Sequence, residues 1–287
     1  MEKIAFIGVG VMGKSMVRNL MKKGYDVSIY TRTKQKVEDV IVEGAVWHDD
    51  IASCVKDKDI IMSMVGYPSD VEEVYLSKHG VLEHAKIGAI LIDFTTSSPI
   101  LAQKIYEVAK QKRMFTLDAP VSGGDVGAQK GTLSIMVGGD EEVYEQVKPI
   151  LEVLGTTLNY TGTAGSGQHT KMANQIALGG AIAGVCEAMT YAKANGLDVQ
   201  NMLDCISNGA AGSWQMTNTA PRILNGDFEP GFFIKHYIKD LKIAKASAES
   251  HQLNLRMMET VLSMYETLQE AGLEDLGTQA LIQYYDK

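Results

Sequence analysis

Cysteine is scarce in this 287-residue chain: Cys54, Cys186 and Cys205 lie far apart, with no CxxC pair and no Cys/His cluster at metal-ligand spacing. No metal site is expected, and so sparse and odd a set fits a reducing compartment. Long apolar runs are also missing. The longest uncharged stretch near the middle, Met172–Cys186, is 15 residues rich in Gly and Ala, short of the roughly 20 that span a bilayer. The charged lead into the first apolar run is followed at once by Lys14, Arg18, Lys22 and Lys23, without a small-residue cleavage site. A cytoplasmic protein with no membrane segment is therefore expected. Positive charge is in deficit, with 27 Lys and Arg against 35 Asp and Glu, net −8. A nucleic-acid partner is not expected, although a small anion needs only a local positive site.

What is present is ordinary globular usage, 45% hydrophobic and 22% charged, in a chain long enough for one large or two modest domains. The first half alternates short apolar runs with amphipathic stretches, the pattern of a doubly wound parallel sheet. Strands are expected at Ile4–Ile7, Val27–Tyr30, Ile60–Met64, Ile90–Asp93 and Met114–Asp118, and further on at Thr132–Val137 and Leu158–Tyr160. Helices are expected over Val11–Lys23, Ser97–Lys112 and Asp140–Leu154. From Gln168 to about Asn195 the apolar spacing turns helical without a proline. Gly179, Gly180 and Gly184 lie inside that stretch, each costing roughly 1 kcal/mol against Ala, which points to close packing there. Helical patterns follow at Val199–Ser207, Gly212–Leu224, Lys235–His251 and Arg256–Glu270, with no convincing strand. The reading is an α/β Rossmann domain over 1–164 and an all-α domain over 165–287 that begins with a long interdomain helix.

The turn Gly8-Val9-Gly10-Val11-Met12-Gly13 follows the first strand and opens the first helix. Gly8 permits a tight turn, Gly10 lets a pyrophosphate approach the backbone, and Gly13 lets helix and strand pack closely. The helix N-terminus then offers N–H groups and a positive dipole end to phosphate. After the second strand, Tyr30-Thr31-Arg32-Thr33-Lys34 carries no carboxylate until Glu38. An acidic residue there would receive the ribose 2′-OH of NAD; Arg32 between two hydroxyls suits a 2′-phosphate instead. NADP(H) is the expected preference, with NAD the alternative if Arg32 only solvates a loop.

Four motifs in order, the turn at 8–13, Asp118-Ala-Pro-Val-Ser-Gly-Gly124, Gly165-Ser-Gly-Gln-His-Thr-Lys171-Met-Ala-Asn174 and Lys239-Asp240-Leu241, span nearly the whole chain. On them the sequence resembles the β-hydroxyacid dehydrogenases, which include 3-hydroxyisobutyrate dehydrogenase, tartronate semialdehyde reductase and the glyoxylate/succinic semialdehyde reductases. The resemblance implies a Rossmann domain followed by a helical one, NAD(P) as cofactor, and a small carboxylate-bearing aldehyde or hydroxy acid as substrate. Ser122, Gly123 and Gly124 then hold the substrate carboxylate, a role their hydroxyl and open backbone N–H groups suit.

Lys171 is the expected proton donor and acceptor for the carbinol oxygen, facing the interdomain cleft, because none of the six histidines has a matching context. A lysine serves if burial or a nearby cation brings its pKa toward neutrality. Asn174 and Gln175, one turn on, share or adjoin its face; Asn174 supports catalysis and Gln175 the substrate. Most relatives carry Asn-Asn here, and Gln175 resembles the tartronate semialdehyde reductases. Phe233-Ile-Lys235-His236 resembles the glyoxylate and succinic semialdehyde reductases instead, so the substrate stays open. The resemblance also places Val65, Gly66, Asp70 and Thr96 at the cofactor, and Lys239 near it unless it belongs to a charged helix surface. Ser97 or Ser98 suits a helix N-cap. His169, about 200° round a helix from Lys171, is read as structural, the methionines as core, and Trp214 as packing between helices or lining the substrate pocket, the first preferred.

The expected activity is NADP-dependent interconversion of a small β-hydroxy acid and its semialdehyde. The alternatives are an NAD-dependent 3-hydroxyisobutyrate-type dehydrogenase and a catalytically silent nucleotide-binding sensor. An imine reductase commonly lacks the lysine, and 6-phosphogluconate dehydrogenases have a much larger helical domain. More apolar surface than one thin helical layer buries implies a homo-oligomer, dimer or tetramer.

Overall fold

A computed structural model of the chain describes residues 2–285; Met1, Asp286 and Lys287, at the outer ends of the two expected domains, lie outside them. In strand β1 (Ile4–Ile7) the side chains alternate between two cores: Ile4 and Phe6 enter one, Ala5 and Ile7 the other. Strands β4 (Ile60–Ser63) and β5 (Ile90–Asp93) divide the same way, with Ile61 and Leu91 opposite Met62 and Ile92. A sheet apolar on both faces has to be covered on both, which is why these strands read as unbroken apolar runs.

The covering helices come from the segments between strands. After β1 runs α1 (Val11–Lys22), then β2 (Val27–Tyr30), α2 (Glu38–Val42), β3 (Val46–Trp47) and α3 (Ile51–Val55). Helices α4 (Pro68–Leu76) and α5 (Val81–His84) join β4 to β5, and α6 (Pro99–Gln111) leads to β6 (Phe115–Asp118). Then come β7 (Val121–Ser122), α7 (Gly124–Lys130), β8 (Leu133–Gly139), α8 (Glu141–Leu151) and β9 (Gly155–Gly162). Helices α1 and α8 lie over the core containing Phe6, while α3 to α6 cover the one containing Ile7.

The sheet order is β3-β2-β1-β4-β5-β6-β8-β7, with β9 paired to β8. From β3 to β6 every pair is parallel. The sheet is not parallel throughout: β8 runs antiparallel to β6 and β7, and β9 is parallel to β8. Two strands escaped the sequence reading, β3 and β7. Each is two residues long, too short for alternation to register.

Helix α9 (Ser166–Ala194) follows as one 29-residue helix. The chain forms two compact units, Met1–Lys171 and Met172–Lys287. The second unit holds the rest of α9, α10 (Val199–Ile206), a π-helical turn Gln215–Thr219, α11 (Ala220–Leu224), α12 (Ile234–Ser250), α13 (Arg256–Glu270) and a 3₁₀ segment Thr278–Tyr284. Tyr237 of α12 and Tyr265 of α13 are fully buried in its core, edge to face at 5.0 Å. Trp214 corrects the expectation that it packs: it is 68% exposed within the chain. No helix among the described residues is long and apolar enough to cross a membrane, and no group of three or more His, Cys, Asp or Glu side chains among them could hold a metal ion.

The glycines inside α9 divide. At Gly179 a Cβ would stand 2.5 Å from the Tyr237 hydroxyl oxygen and 3.2 Å from Val261 Cγ1, so close packing does require this glycine. Gly180 would make only ordinary contact and Gly184 none, contrary to the expectation for all three. Gly179→Ala is therefore expected to destabilise: overpacking costs about 1–3 kcal/mol against about 1 kcal/mol of helix propensity gained. Gly184→Ala, exposed and unobstructed, should gain up to about 1 kcal/mol. Thermal unfolding of the two variants checks the opposite signs; two losses of equal size would refute the packing argument.

Candidate active site

Five parallel strands end on one rung. Ile7 pairs with both Tyr30 and Ser63, Ser63 with Asp93, and Asp93 with Asp118. The loops leaving these residues therefore emerge side by side, and the strand order reverses between β1 and β4. Ligands of open α/β sheets bind outside the carboxyl ends of strands at such a reversal. Of the expected cofactor residues, those in this unit fall on these loops or in the helix starts that follow them: 8–13 after β1, 31–33 after β2, 65, 66 and 70 after β4, and 96 after β5; Lys239 is not among them but in α12.

The first loop is built to hold a phosphate close. Gly8 has φ +89° and a Cβ there would overlap the Met64 carbonyl, while a Cβ on Gly13 would overlap the Gly8 carbonyl. Both glycines are thus demanded by the protein itself. Gly10 is not: nothing lies within 4 Å of a Cβ built on it. It N-caps α1 in extended geometry without a side-chain cap, so the first-turn N–H groups of Val11, Met12 and Gly13 face the space that a side chain at Gly10 would narrow. A dinucleotide pyrophosphate fits that cradle.

Around it, Arg32 is 79% exposed with a guanidinium nitrogen 3.3 Å from Asp70 Oδ1, flanked by half-buried Thr31 and exposed Thr33. Asp70 also closes a capping box on α4, accepting the Tyr67 N–H at 3.0 Å. Val65 donates its N–H to Thr95 Oγ1 at 2.9 Å, and Thr95 donates its own to Asp93 Oδ1 at 3.1 Å. These bonds tie the Val65–Gly66 loop to the loop carrying half-buried Thr96. Ser98 is the N-cap of α6, receiving the Leu101 N–H.

Beyond β6, Ser122 lies in β7 opposite Ser134, and Gly123 and Gly124 follow with φ +125° and +62°, conformations that side chains disfavour. One residue that the sequence reading left without a role stands at the centre here. Asp118 accepts the Gly165 N–H at 2.7 Å and the Gln168 N–H at 2.8 Å, one on each carboxylate oxygen. Burial pushes its carboxyl up to about 6, with these two bonds acting in the opposite direction. Gln168, fully buried, sends its side chain to the other loop, accepting the Ser97 N–H and donating to the Thr95 carbonyl. Three residues further along α9 is Lys171, 6% exposed; His169 is exposed.

In the second unit, Asn174 donates to Gln175 Oε1 at 2.8 Å and Gln175 Nε2 donates to Asp240 Oδ2 at 2.6 Å. Gln175, expected at the substrate, is 1% exposed with both ends of its amide engaged; it holds Asn174. Lys239, 12% exposed, sets its ammonium 2.9 Å from Asp240 Oδ1, so it is not part of a solvated helix face. Tyr237 donates to the Gln175 carbonyl at 2.8 Å. Burial, then the nearby Lys239, holds the His236 imidazole below its ordinary value. Asp118, Gln168 and Asp240 all sit inside recognised motifs, which was the signal available; their hydrogen-bond partners lie 47 to 73 residues away in sequence, and no local pattern encodes those.

Gly10→Ala separates cradle from fold. It should leave thermal stability near wild type while weakening NADPH binding, followed by nucleotide fluorescence, at least tenfold. Gly8→Ala should lose both. Undiminished binding in Gly10→Ala would refute the cradle.

Comparison with known proteins identifies the family. The NAD binding domain of 6-phosphogluconate dehydrogenase matches residues 3–162, and the NAD-binding domain of NADP-dependent 3-hydroxyisobutyrate dehydrogenase matches residues 165–285. An uncharacterized oxidoreductase of Bacillus subtilis (strain 168) is 52% identical over 286 residues, covering 100% of this chain and 99% of that one. The 2-hydroxy-3-oxopropionate reductase of Escherichia coli (strain K12) is 36% identical over 281 residues, 98% of this chain and 96% of that one. The solved structure of Mycobacterium tuberculosis 3-hydroxyisobutyrate dehydrogenase with L-serine superposes with a TM-score of 0.92 at 29% identity, covering 99% and 98% of the two chains. With its two matched domains, its nucleotide cradle and full-length relatives, the chain belongs to the β-hydroxyacid dehydrogenases, NAD(P)-dependent oxidoreductases acting on CH–OH groups.

Proposed function

We propose that this enzyme reduces small semialdehyde acids to β-hydroxy acids with NADPH, and runs the reverse oxidation, with Lys171 as general acid and base. The observation that carries the reading is the buried lysine itself. It is 6% exposed, on a helix whose first turn is bonded to the strand end before the Ser122 loop and to the loop of Thr96. A lysine kept for charge alone has no reason to leave water.

The cradle at Gly8–Gly13 would hold the pyrophosphate of the dinucleotide, whose nicotinamide would supply or accept the hydride. The residues of the chain do the rest. Ser122 donates its hydroxyl, and Gly123 and Gly124 their N–H groups, to the substrate carboxylate. Lys171 Nζ gives a proton to the carbonyl oxygen as it becomes a hydroxyl, and takes it back in oxidation; a positioned acid of this kind contributes typically 10²–10⁴-fold. Asn174, its amide oriented by Gln175 and Asp240, supports the same oxygen. Lys239 adds positive charge toward the cofactor. Arg32 receives the 2′-phosphate, exchanging the exposed Asp70 contact for a doubly charged partner. The E. coli relative, named for 2-hydroxy-3-oxopropionate reduction, supports this substrate class. The reading includes a homodimer or homotetramer, for which exposed Tyr191, Leu253 and Met257 in the helical unit provide apolar surface.

Two experiments test this. Lys171→Ala should lower turnover at least a hundredfold while NADPH binding, read by fluorescence, is retained; turnover within threefold of wild type would sink the assignment. Oxidation of NADPH and NADH should be compared over tartronate, methylmalonate and succinate semialdehydes and glyoxylate. NADPH is expected to be favoured, and Arg32→Glu, at an exposed position that tolerates substitution, should raise its KM at least tenfold with NADH turnover kept. Equal use of both nucleotides by the wild type would remove the role given to Arg32.

A further inference from the structure

Asp118 is held where a carboxylate is costly, and it has been given unusual room. It is 6% exposed, and its two oxygens each receive one backbone N–H from the start of α9. Such an approach needs two glycines. A Cβ on Gly138 of β8 would stand 2.7 Å from Asp118 Oδ1, and one on Gly167 of α9 2.9 Å from Asp118 Oδ2. Gln168 then carries the tie onward through the Ser97 N–H at 2.8 Å and the Thr95 carbonyl at 2.7 Å. The first turn of α9 is thereby bonded to β6, which runs into the Ser122 loop, and to the loop that carries Thr96.

We propose that Asp118 is a positioning residue for the reaction: by accepting the Gly165 and Gln168 N–H groups it fixes the first turn of α9, and with it the placement of Lys171 against the Ser122 and Thr96 loops. The proposal rests on Lys171 being the acid and base. One turn of helix separates Gln168 from Lys171, so a shift at the clamp moves the lysine with little attenuation. A displacement of about 1 Å at a catalytic group can cost on the order of 100-fold in rate.

The clamp also responds to protons. Bonds from N–H to an ionised carboxylate are roughly twice as strong as to a neutral acceptor, so protonation loosens it. Burial pushes the Asp118 carboxyl up to about 6, with Asp93 of β5 adding repulsion. Asp93 and Tyr75 of α4 are the titratable groups that line the same small cavity as Asp118, alongside Ser97 of the β5–α6 loop and Thr116 of β6. Gly138 of β8 and Gly165, Gly167 and Gln168 on the α9 side bring no charge, and the next titratable groups along α9 are the exposed His169 and then Lys171. The sign is distinctive. In the reducing direction Lys171 must be protonated, so its own titration removes activity toward alkaline pH. Loss of Asp118 charge removes activity toward acid pH, with a midpoint near 6.

The experiment is the pH profile of kcat for semialdehyde reduction in wild type, Asp118→Asn and Lys171→Ala, with amide hydrogen exchange at Gly165 and Gln168. Wild type should lose rate as pH falls through about 6. Asp118→Asn, which keeps the shape but turns an amide N–H toward one of the two donors, should lower kcat at least tenfold, leave KM for NADPH within twofold, abolish the acid limb, and speed exchange at those two amides. A variant with kcat within threefold of wild type, or one that keeps the acid limb, overturns the proposal. If Asp118→Asn does not fold, the wild-type profile decides, because a flat acid side in the reducing direction also overturns it. Retained activity in Lys171→Ala would fault the assignment of the lysine instead, whereas an inactive Lys171→Ala beside a fully active Asp118→Asn faults the clamp alone.

Discussion

Parallel strands held in register are the constraint on which the rest of this molecule depends. Because Ile7, Tyr30, Ser63, Asp93 and Asp118 stand on connected rungs, every loop that leaves the sheet at its carboxyl edge starts from the same level. The chain can then place a glycine turn, an arginine, a threonine and a serine near one another although more than a hundred residues separate the first from the last. The register is enforced by burial on both faces: a slip of one residue would exchange Phe6 for Ile7 between two cores that are each already filled.

That rung also carries a network of polar groups. Tyr75 donates to Ser63 Oγ at 2.7 Å, Ser63 to Asp93 Oδ1 at 2.8 Å, and the Thr95 and Val65 N–H groups continue the chain. Satisfied, each such bond contributes on the order of 1 kcal/mol, but an orphaned partner costs about 1–3 kcal/mol. A network of this kind punishes small displacements more than apolar packing does, so the loops of Val65 and Thr96 are held in position, not merely supported. Asp118 and Gln168 extend the same logic to α9, at the price of a carboxyl group pushed toward its neutral form by burial.

Much of this was legible in the sequence. Strands β1, β2 and β5 and helix α13 lie where the apolar spacing put them, because a run buried on both faces, or a long amphipathic face, leaves a strong periodic mark. The glycines of the first turn were legible for a related reason: strand, turn and helix in close succession leave few other uses for three of them. What stayed hidden is what depends on distant partners. Nothing near Asp118 announces that its oxygens meet amides 47 and 50 residues on. Nothing near β8 announces that it runs against β6, since strand direction leaves no periodic trace. Gly179 and Gly184 look alike in sequence and differ only because Tyr237 stands beside one of them. The residue type of Trp214 suggests packing, and type alone does not say whether a surface is covered.

Gln175 shows how a departure from the family pattern becomes a physical difference. Its side chain is one methylene longer than the asparagine that the resemblance leads one to expect there. The extra reach lets one amide span two jobs, with Nε2 on Asp240 at 2.6 Å and Oε1 on the Asn174 N–H at 2.8 Å. Because the Asp240 carboxylate accepts only, it dictates which end of Gln175 faces it; because that leaves Oε1 toward Asn174, it dictates the orientation of Asn174 in turn. Lys239, 2.9 Å from the other oxygen of Asp240, is drawn into the same arrangement. The order of a charged group, two amides and a buried ammonium is thus set from one carboxylate outward, and a shorter side chain at position 175 would have to reach that carboxylate by moving helix α9 or α12 instead.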